Sequence, residues 1–134
     1  MSWFMDASAI IAIVGQEADW QTYADQADEE DELLWSAMSQ WESIVGLRRL
    51  RDLTLAQARH EVEHFAQEHG LVIVNIGERE AQLAIEAASR YGRGSGHPAK
   101  LNMGDCFAYA CAKANNARLL YKGDDFARTD LADA

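Results

Sequence analysis

The sequence predicts an α/β fold, a mainly parallel sheet flanked by helices, and three observations carry that prediction. Segments with strand character alternate with segments of helical spacing along the whole chain. The run "LVIVNI" (71–76) is almost continuously aliphatic and β-branched, as a parallel strand buried on both faces requires. Hydrophobic residues make up 49% of 134 residues, enough for one core spanning 1–134 and too short a chain for two.

"SWFMD" (2–6) reads as a strand that ends at an acid. "ASAIIAIVG" (7–15) has Ser8 near its start and Gly15 at its end, which suits a helix opening straight after that strand. "EADWQTYADQADEED" (17–31) continues helically with Trp20, Tyr23, Ala24 and Ala27 on one side, and "ELLWS" (32–36) is the second strand. Ser39 is the expected cap of a helix through "QWESIVGLRRL" (40–50), with Glu42 at the S-x-x-E capping-box spacing. Thr54 caps the next helix, 55–69, which Gly70 ends. After "LVIVNI", "EREAQLAIEAASRYG" (78–92) carries Ala81, Ala84, Ile85, Ala88 and Tyr91 at helical spacing. "GRGSGHPAKLNMG" (92–104) holds four of the nine glycines and the only proline, so it is a loop. "DCFAYACAKANNA" (105–117) is a helix, "RLLYKG" (118–123) a strand and "DDFARTDL" (124–131) a loop.

Several function classes are excluded at this level. The longest uncharged, mostly apolar run, 7–15, is about half the ~20 residues of a membrane helix, and no basic segment precedes it. The expectation is a soluble intracellular protein. Cys106 and Cys111 lie five apart in one helix, on different faces, and are expected as reduced, buried thiols. The net charge of −10 argues against holding nucleic acid through a broad basic surface. The cations are unevenly spread, however: "RRLR" (48–51) and "RYGRGSGHPAK" (90–100) are basic pieces available to touch a polyanion, whereas "DQADEEDE" (25–32) is a solvated acidic face.

One motif is a decoy. His60-Glu61-Val62-Glu63-His64 fits H-E-x-x-H, the zinc-protease helix. The apolar stripe of that helix is Leu55, Ala58, Val62, Phe65 and Ala66, which turns His60 and His64 to water beside Glu61 and Glu68. A catalytic zinc needs a third protein ligand and a shaped cavity, and nothing in the spacing specifies one.

The informative acids are elsewhere. Asp6 ends the first strand, Asp105 opens a helix, and Asp124 with Asp125 follows the last strand. In a parallel sheet with helical crossovers, strand C-termini and the following helix N-termini share one edge, where ligand sites collect. Glu42, early in its helix, can reach the same edge. Carboxylates crowded without basic partners raise one another's pKa, and the usual resolution is a hard divalent ion, Mg²⁺ or Mn²⁺, which favours oxygen ligands. Taken singly, the same residues also serve as helix caps and turn formers.

These residues lie in stretches that are familiar together. "FMDASAIIAIV", "WESIVGLRRL", "RYGRGSGHPAKLNMGDCFAYACAK" and "LLYKGDDFARTDL" resemble a PIN domain of the VapC toxin type, over nearly the whole chain. The resemblance implies a three-layer α/β/α sandwich and a cytoplasmic, Mg²⁺- or Mn²⁺-dependent endoribonuclease, the toxin of a type II toxin–antitoxin pair. It also implies inhibition by a small VapB-like antitoxin, and a homodimer. Carried over by position, Asp6 and Asp105 are metal ligands, Glu42 is the third acid, and Asp124 is the fourth with Asp125 beside it. Ser8 matches a supporting hydroxyl, and Gly104 a point where the backbone approaches closely. In a dimer, Arg48, Arg49, Arg51, Arg93 and Lys100 would surround a groove for RNA, and Trp20 with Tyr23 would either pack in the core or receive an antitoxin helix. Two rival readings are a binding protein acting within an antitoxin–operator complex, and a nuclease or phosphatase with a DNA or other phosphate substrate. No residue spacing separates ribose from deoxyribose.

Overall fold

The computed structural model describes residues 1–132. Its elements run β1 (Ser2–Met5), α1 (Ala7–Val14), α2 (Trp20–Ala27), β2 (Glu32–Trp35), α3 (Ala37–Arg51), α4 (Leu55–Glu68), β3 (Val72–Ile73), α5 (Glu78–Tyr91), α6 (Met103–Ala114) and β4 (Arg118–Leu120). The four strands form one sheet in the order β3-β2-β1-β4, and every pairing is parallel.

Period-2 alternation in these short strands sorts the core into two clusters. Phe4, Leu34 and Leu119 point to one face, where they meet Ala84, Ala87 and Tyr91 of α5 and much of α6. Trp3, Met5, Leu33, Trp35 and Leu120 point to the other, against Ile10 of α1, Leu47 of α3, and Val62 and Phe65 of α4. The result is helices on both faces of the sheet, the three-layer α/β/α arrangement. The chain after β4 closes over the α5–α6 side: Tyr109 donates to Asp130 Oδ1 at 2.7 Å and Lys113 Nζ to its Oδ2 at 2.5 Å. Among the described residues no helix is long and apolar enough to cross a membrane.

Three expectations need correction. The predicted strand 71–76 is paired as a strand only at Val72–Ile73, and both residues are about half exposed. β3 is an edge strand with β2 as its single neighbour, so its apolar run does not report burial on both faces. The third helix begins three residues earlier than expected, because Ser36 rather than Ser39 is the cap. The Ser36 hydroxyl accepts from Ser39 N at 3.1 Å, and Ser39 Oγ in turn accepts from Ser36 N. Glu42 therefore lies one turn inside the helix and caps nothing. Finally, Leu55 and Ile85 are exposed rather than part of their buried stripes. Leu55 is the first residue of α4, beyond the reach of the core, while on α5 the burial falls to Ala84, Ala87 and Tyr91.

Both cysteines are buried free thiols. Burial pushes the Cys111 thiol up to about 11, which keeps it protonated.

Candidate active site

The chain visits β1, β2 and β3 in one direction across the sheet, then crosses back to lay β4 on the far side of β1. The crevice at the C-terminal ends of β1 and β4 is thus the point where strand order reverses, the preferred ligand position in open α/β sheets. Asp6 leaves β1 there, and its backbone N–H donates to Leu120 O of β4 at 3.0 Å. Three residues past β4, Gly123 adopts φ +100°, a conformation that other residues rarely adopt. That turn starts the loop carrying Asp124 and Asp125.

Asp6 caps α1 and is buried, with Oδ2 accepting from the Ser8 backbone N–H at 3.0 Å and the Ser8 hydroxyl at 2.5 Å. Ser8 Oγ also accepts from Lys122 N at 2.9 Å, so one hydroxyl ties the exits of β1 and β4 together. Desolvation raises the Asp6 pKa; the Ser8 hydrogen bonds oppose it, and the charge of Asp125 adds to it. Asp105 occupies the first turn of α6, where it and Asn102 cap each other: Asp105 N donates to Asn102 Oδ1 at 2.9 Å, and Asn102 N to Asp105 Oδ2 at 3.0 Å. Its second oxygen, Oδ1, has no hydrogen bond among the described residues. Burial pushes the Asp105 pKa up to about 7, against the Asn102 bond, with the charges of Asp6, Asp125 and Glu42 adding to the rise.

Glu42 approaches from α3. Desolvation, then the charge of Asp6, raises its pKa. Helix α6 meets it at Gly104, where an added Cβ would lie 2.1 Å from Glu42 Oε2. Only a residue without a side chain leaves room for that carboxylate. The sequence thus brings Asp6, Glu42, Asp105 and Asp125 into one electrostatic unit. Asp124, its exposed neighbour, is not among the charges acting on the other three acids.

No Lys or Arg among the described residues pairs with any of these four acids. Lys122, three residues before Asp125, is held by Glu17 and Asp19 at 2.9 and 3.0 Å. The donor set is hard, anionic and partly desolvated, with no ion pair to relieve the repulsion among the described residues, which fits a hard divalent ion. Among the described residues no three His, Cys, Asp or Glu side chains already converge as a finished ligand shell. Holding an ion requires side-chain adjustment, most simply of the half-exposed Glu42.

A model of the PIN domain family matches residues 3–131. The chain belongs to the PIN-domain family. A VapC ribonuclease of Rhizobium meliloti (strain 1021) is 37% identical, with 96% of this chain and 98% of that protein covered. Ribonuclease VapC28 of Mycobacterium tuberculosis (strain H37Rv) is 42% identical, over 95% of this chain and 93% of its own length. In architecture this PIN domain is similar to the crystal structure of Mycobacterium tuberculosis VapC20, described as a sarcin-ricin loop cleaving toxin. The TM-score is 0.73 at 14% identity, with 93% and 92% of the two chains covered.

The remaining candidates scatter around the rim of the PIN domain. Arg48 and Arg49 are exposed on the last turns of α3, whereas Arg51 is engaged, donating to Gly15 O at 2.6 Å. Arg93 and Lys100 are exposed on the loop that leads into α6 and line a shallow cavity of about 360 Å³ with His97. Trp20 and Tyr23 are half-buried on α2, and Tyr23 packs against the core while lining a cleft of about 480 Å³.

His60 and His64 are exposed, and His64 pairs with Glu68 at 3.1 Å on a helix face turned to water. Replacing both histidines by Ala is expected to leave RNA cleavage and metal response within about twofold of the parent, as for surface changes away from the site. A folded double variant without activity would restore the metalloprotease-type reading. The opposite is expected at Ser8. Ser8→Ala removes a hydroxyl that orients Asp6 and binds Lys122 N, and should cost about 10- to 100-fold in activity or metal affinity with the fold intact. A circular-dichroism melt beside a cleavage assay checks both halves of that expectation.

Proposed function

We propose that this chain, acting as one domain over 1–134, is a metal-dependent endoribonuclease and the toxin of a toxin–antitoxin pair. The observation that carries the reading is the group of four carboxylates at the sheet's switch point, without a Lys or Arg ion pair among the described residues, in a chain whose relatives are named VapC ribonucleases. Asp6, Asp105, Glu42 and Asp125 would hold Mg²⁺ or Mn²⁺; Asp125 is preferred over Asp124 because its charge acts on Asp6 and Asp105. The chemistry such an ion supplies is activation of water and stabilisation of the leaving oxygen in phosphodiester hydrolysis.

The protein's own residues do the rest. Ser8 fixes Asp6, the Asn102 box fixes Asp105, and Gly104 clears space for Glu42. Arg48, Arg93 and Lys100 would meet RNA phosphates around the rim, since a net charge of −10 leaves attraction to local basic pieces. A VapB-like antitoxin, which the VapC names of the relatives support, a cytoplasmic location for this protein and a homodimer complete the proposal. The deciding experiment is incubation of antitoxin-free protein with a structured-RNA pool in Mg²⁺, Mn²⁺ or chelator, with a DNA pool in parallel. Cleavage of RNA alone, and only with metal, is expected. Equal cleavage of DNA, or activity in chelator, would overturn the reading.

A further inference from the structure

Trp41 stands immediately before Glu42 on α3, and its side chain is exposed to 66%. Such a large apolar surface in water, larger than that of Leu50 on the same helix at 47%, calls for a function. The buried side of α3 is Ser39, Ser43 and Leu47. On the outer side, Trp41, Val45, Arg48 and Arg49 follow at intervals of four, three and one, forming one strip along the helix. Arg48 and Arg49, with Asp52, border a cavity of about 380 Å³, and neither guanidinium has an ion pair among the described residues.

From these observations we infer that Trp41 is the stacking platform for an unpaired RNA base next to the cleaved phosphate, with Arg48 and Arg49 holding the strand's phosphates farther along α3. The inference rests on the ribonuclease reading and deepens it. Trp41 projects about 100° around α3 from Glu42, so a strand leaving a phosphodiester at the carboxylate cluster would turn around the helix to meet it. About 10 Å separate Trp41 from Arg48 along the axis. A protein partner's groove would call for a run of aliphatic side chains. This strip instead offers one aromatic plane, the single aliphatic Val45 and then two guanidinium groups without an ion pair among the described residues, an aromatic–cation combination that suits single-stranded nucleic acid. Base stacking tolerates any base, so Trp41 contributes affinity and strand position, while the phosphate contacts make binding salt-dependent.

The test uses the whole protein with single-stranded RNA of mixed sequence. In chelator, where no strand is cut, tryptophan fluorescence is followed for the native protein, Trp41→Phe and Trp41→Ala. Native protein should show quenching that Trp41→Phe lacks, and Trp41→Ala should bind about tenfold more weakly or worse. With metal, Trp41→Ala should raise KM by a similar factor at nearly constant kcat, and Trp41→Phe should stay close to native. Trp41-dependent quenching without cleavage under any metal would sink the nuclease reading and keep only the stacking half of this inference, Trp41 as an RNA-binding platform. Cleavage with KM and quenching indifferent to Trp41 would do the reverse. If Trp41→Ala instead splits a dimer or releases a protein partner while RNA binding is unchanged, the strip is a protein interface and the inference is overturned.

Discussion

Asp105→Asn is expected to abolish RNA cleavage, by at least about 10²-fold, while making the metal-free protein more stable above neutral pH. The two effects have one cause. In the native protein the Asp105 pKa is about 7, well above its unfolded value of 3.8. Between those values the folded state holds a proton that the unfolded state has released, so stability falls as pH rises. The contribution is therefore fully present below about pH 4 and is lost through pH 7. The raised pKa values of Asp6 and Glu42 act in the same direction. The full Asp105 shift corresponds to about 4 kcal/mol. Because Glu42 and Asp125 beside it reach solvent, screening reduces this to about 1–2 kcal/mol.

Asparagine keeps an oxygen for the Asn102 N–H but carries no charge, so the variant's gain should be near zero below pH 4, partly developed at pH 5 and largest at pH 8. Adding Mg²⁺ or Mn²⁺ should stabilise the native protein at pH 8 and the variant much less. Thermal melts of both proteins across pH 5–8, with chelator and with metal, read all of this. Parallel melting curves at every pH would mean that Asp105 is not a strained carboxylate. Equal stabilisation of both proteins by metal would remove it from the ligand set.

The parts of this picture that were legible in the sequence are those marked by local chemistry. Asp6 and Asp105 announce themselves because one ends an apolar strand and the other opens a helix after a glycine-rich loop, and topology then assigns both to one sheet edge. Glu42 was harder to place, since its position depends on how deep in α3 it lies. Ser36 and Ser39 are both acceptable caps three residues apart, and only the folded backbone chooses between them. The choice between Asp124 and Asp125 turns on chain direction after Gly123, which no spacing encodes. Likewise "LVIVNI" declares a strand but not its number of neighbours, and that number decides whether Val72 and Ile73 are core or edge. Trp41 left no periodic signal, because one exposed aromatic in an amphipathic helix becomes informative only once Glu42 beside it is located.

Gly104→Ala separates the role of site geometry from that of charge. Ala is ordinarily favoured over Gly in a helix by up to about 1 kcal/mol, and Gly104, in the first turn of α6, has no positive φ to protect. On backbone grounds the substitution should be neutral or mildly stabilising. The new methyl, however, would lie 2.1, 2.8 and 2.9 Å from Oε2, Cδ and Oε1 of Glu42. Those three atoms are the end of a flexible, half-exposed side chain, so the clash is relieved by swinging the Glu42 carboxylate away, with little disturbance of the core. The expected result is a melting temperature unchanged or a few degrees higher, together with a loss of about 10²-fold in cleavage, the scale of a misplacement near 1 Å. All four acids remain present, so a charge-only account of the site predicts no loss. Combining Gly104→Ala with Glu42→Ala tests the route. If the methyl acts by displacing Glu42, the double variant should be no less active than Glu42→Ala alone, because the effects of two changes at one contact do not add. Additive losses would place the effect of Gly104 elsewhere in α6, most directly on the Asn102–Asp105 cap, and Glu42 would lose its claim to the site.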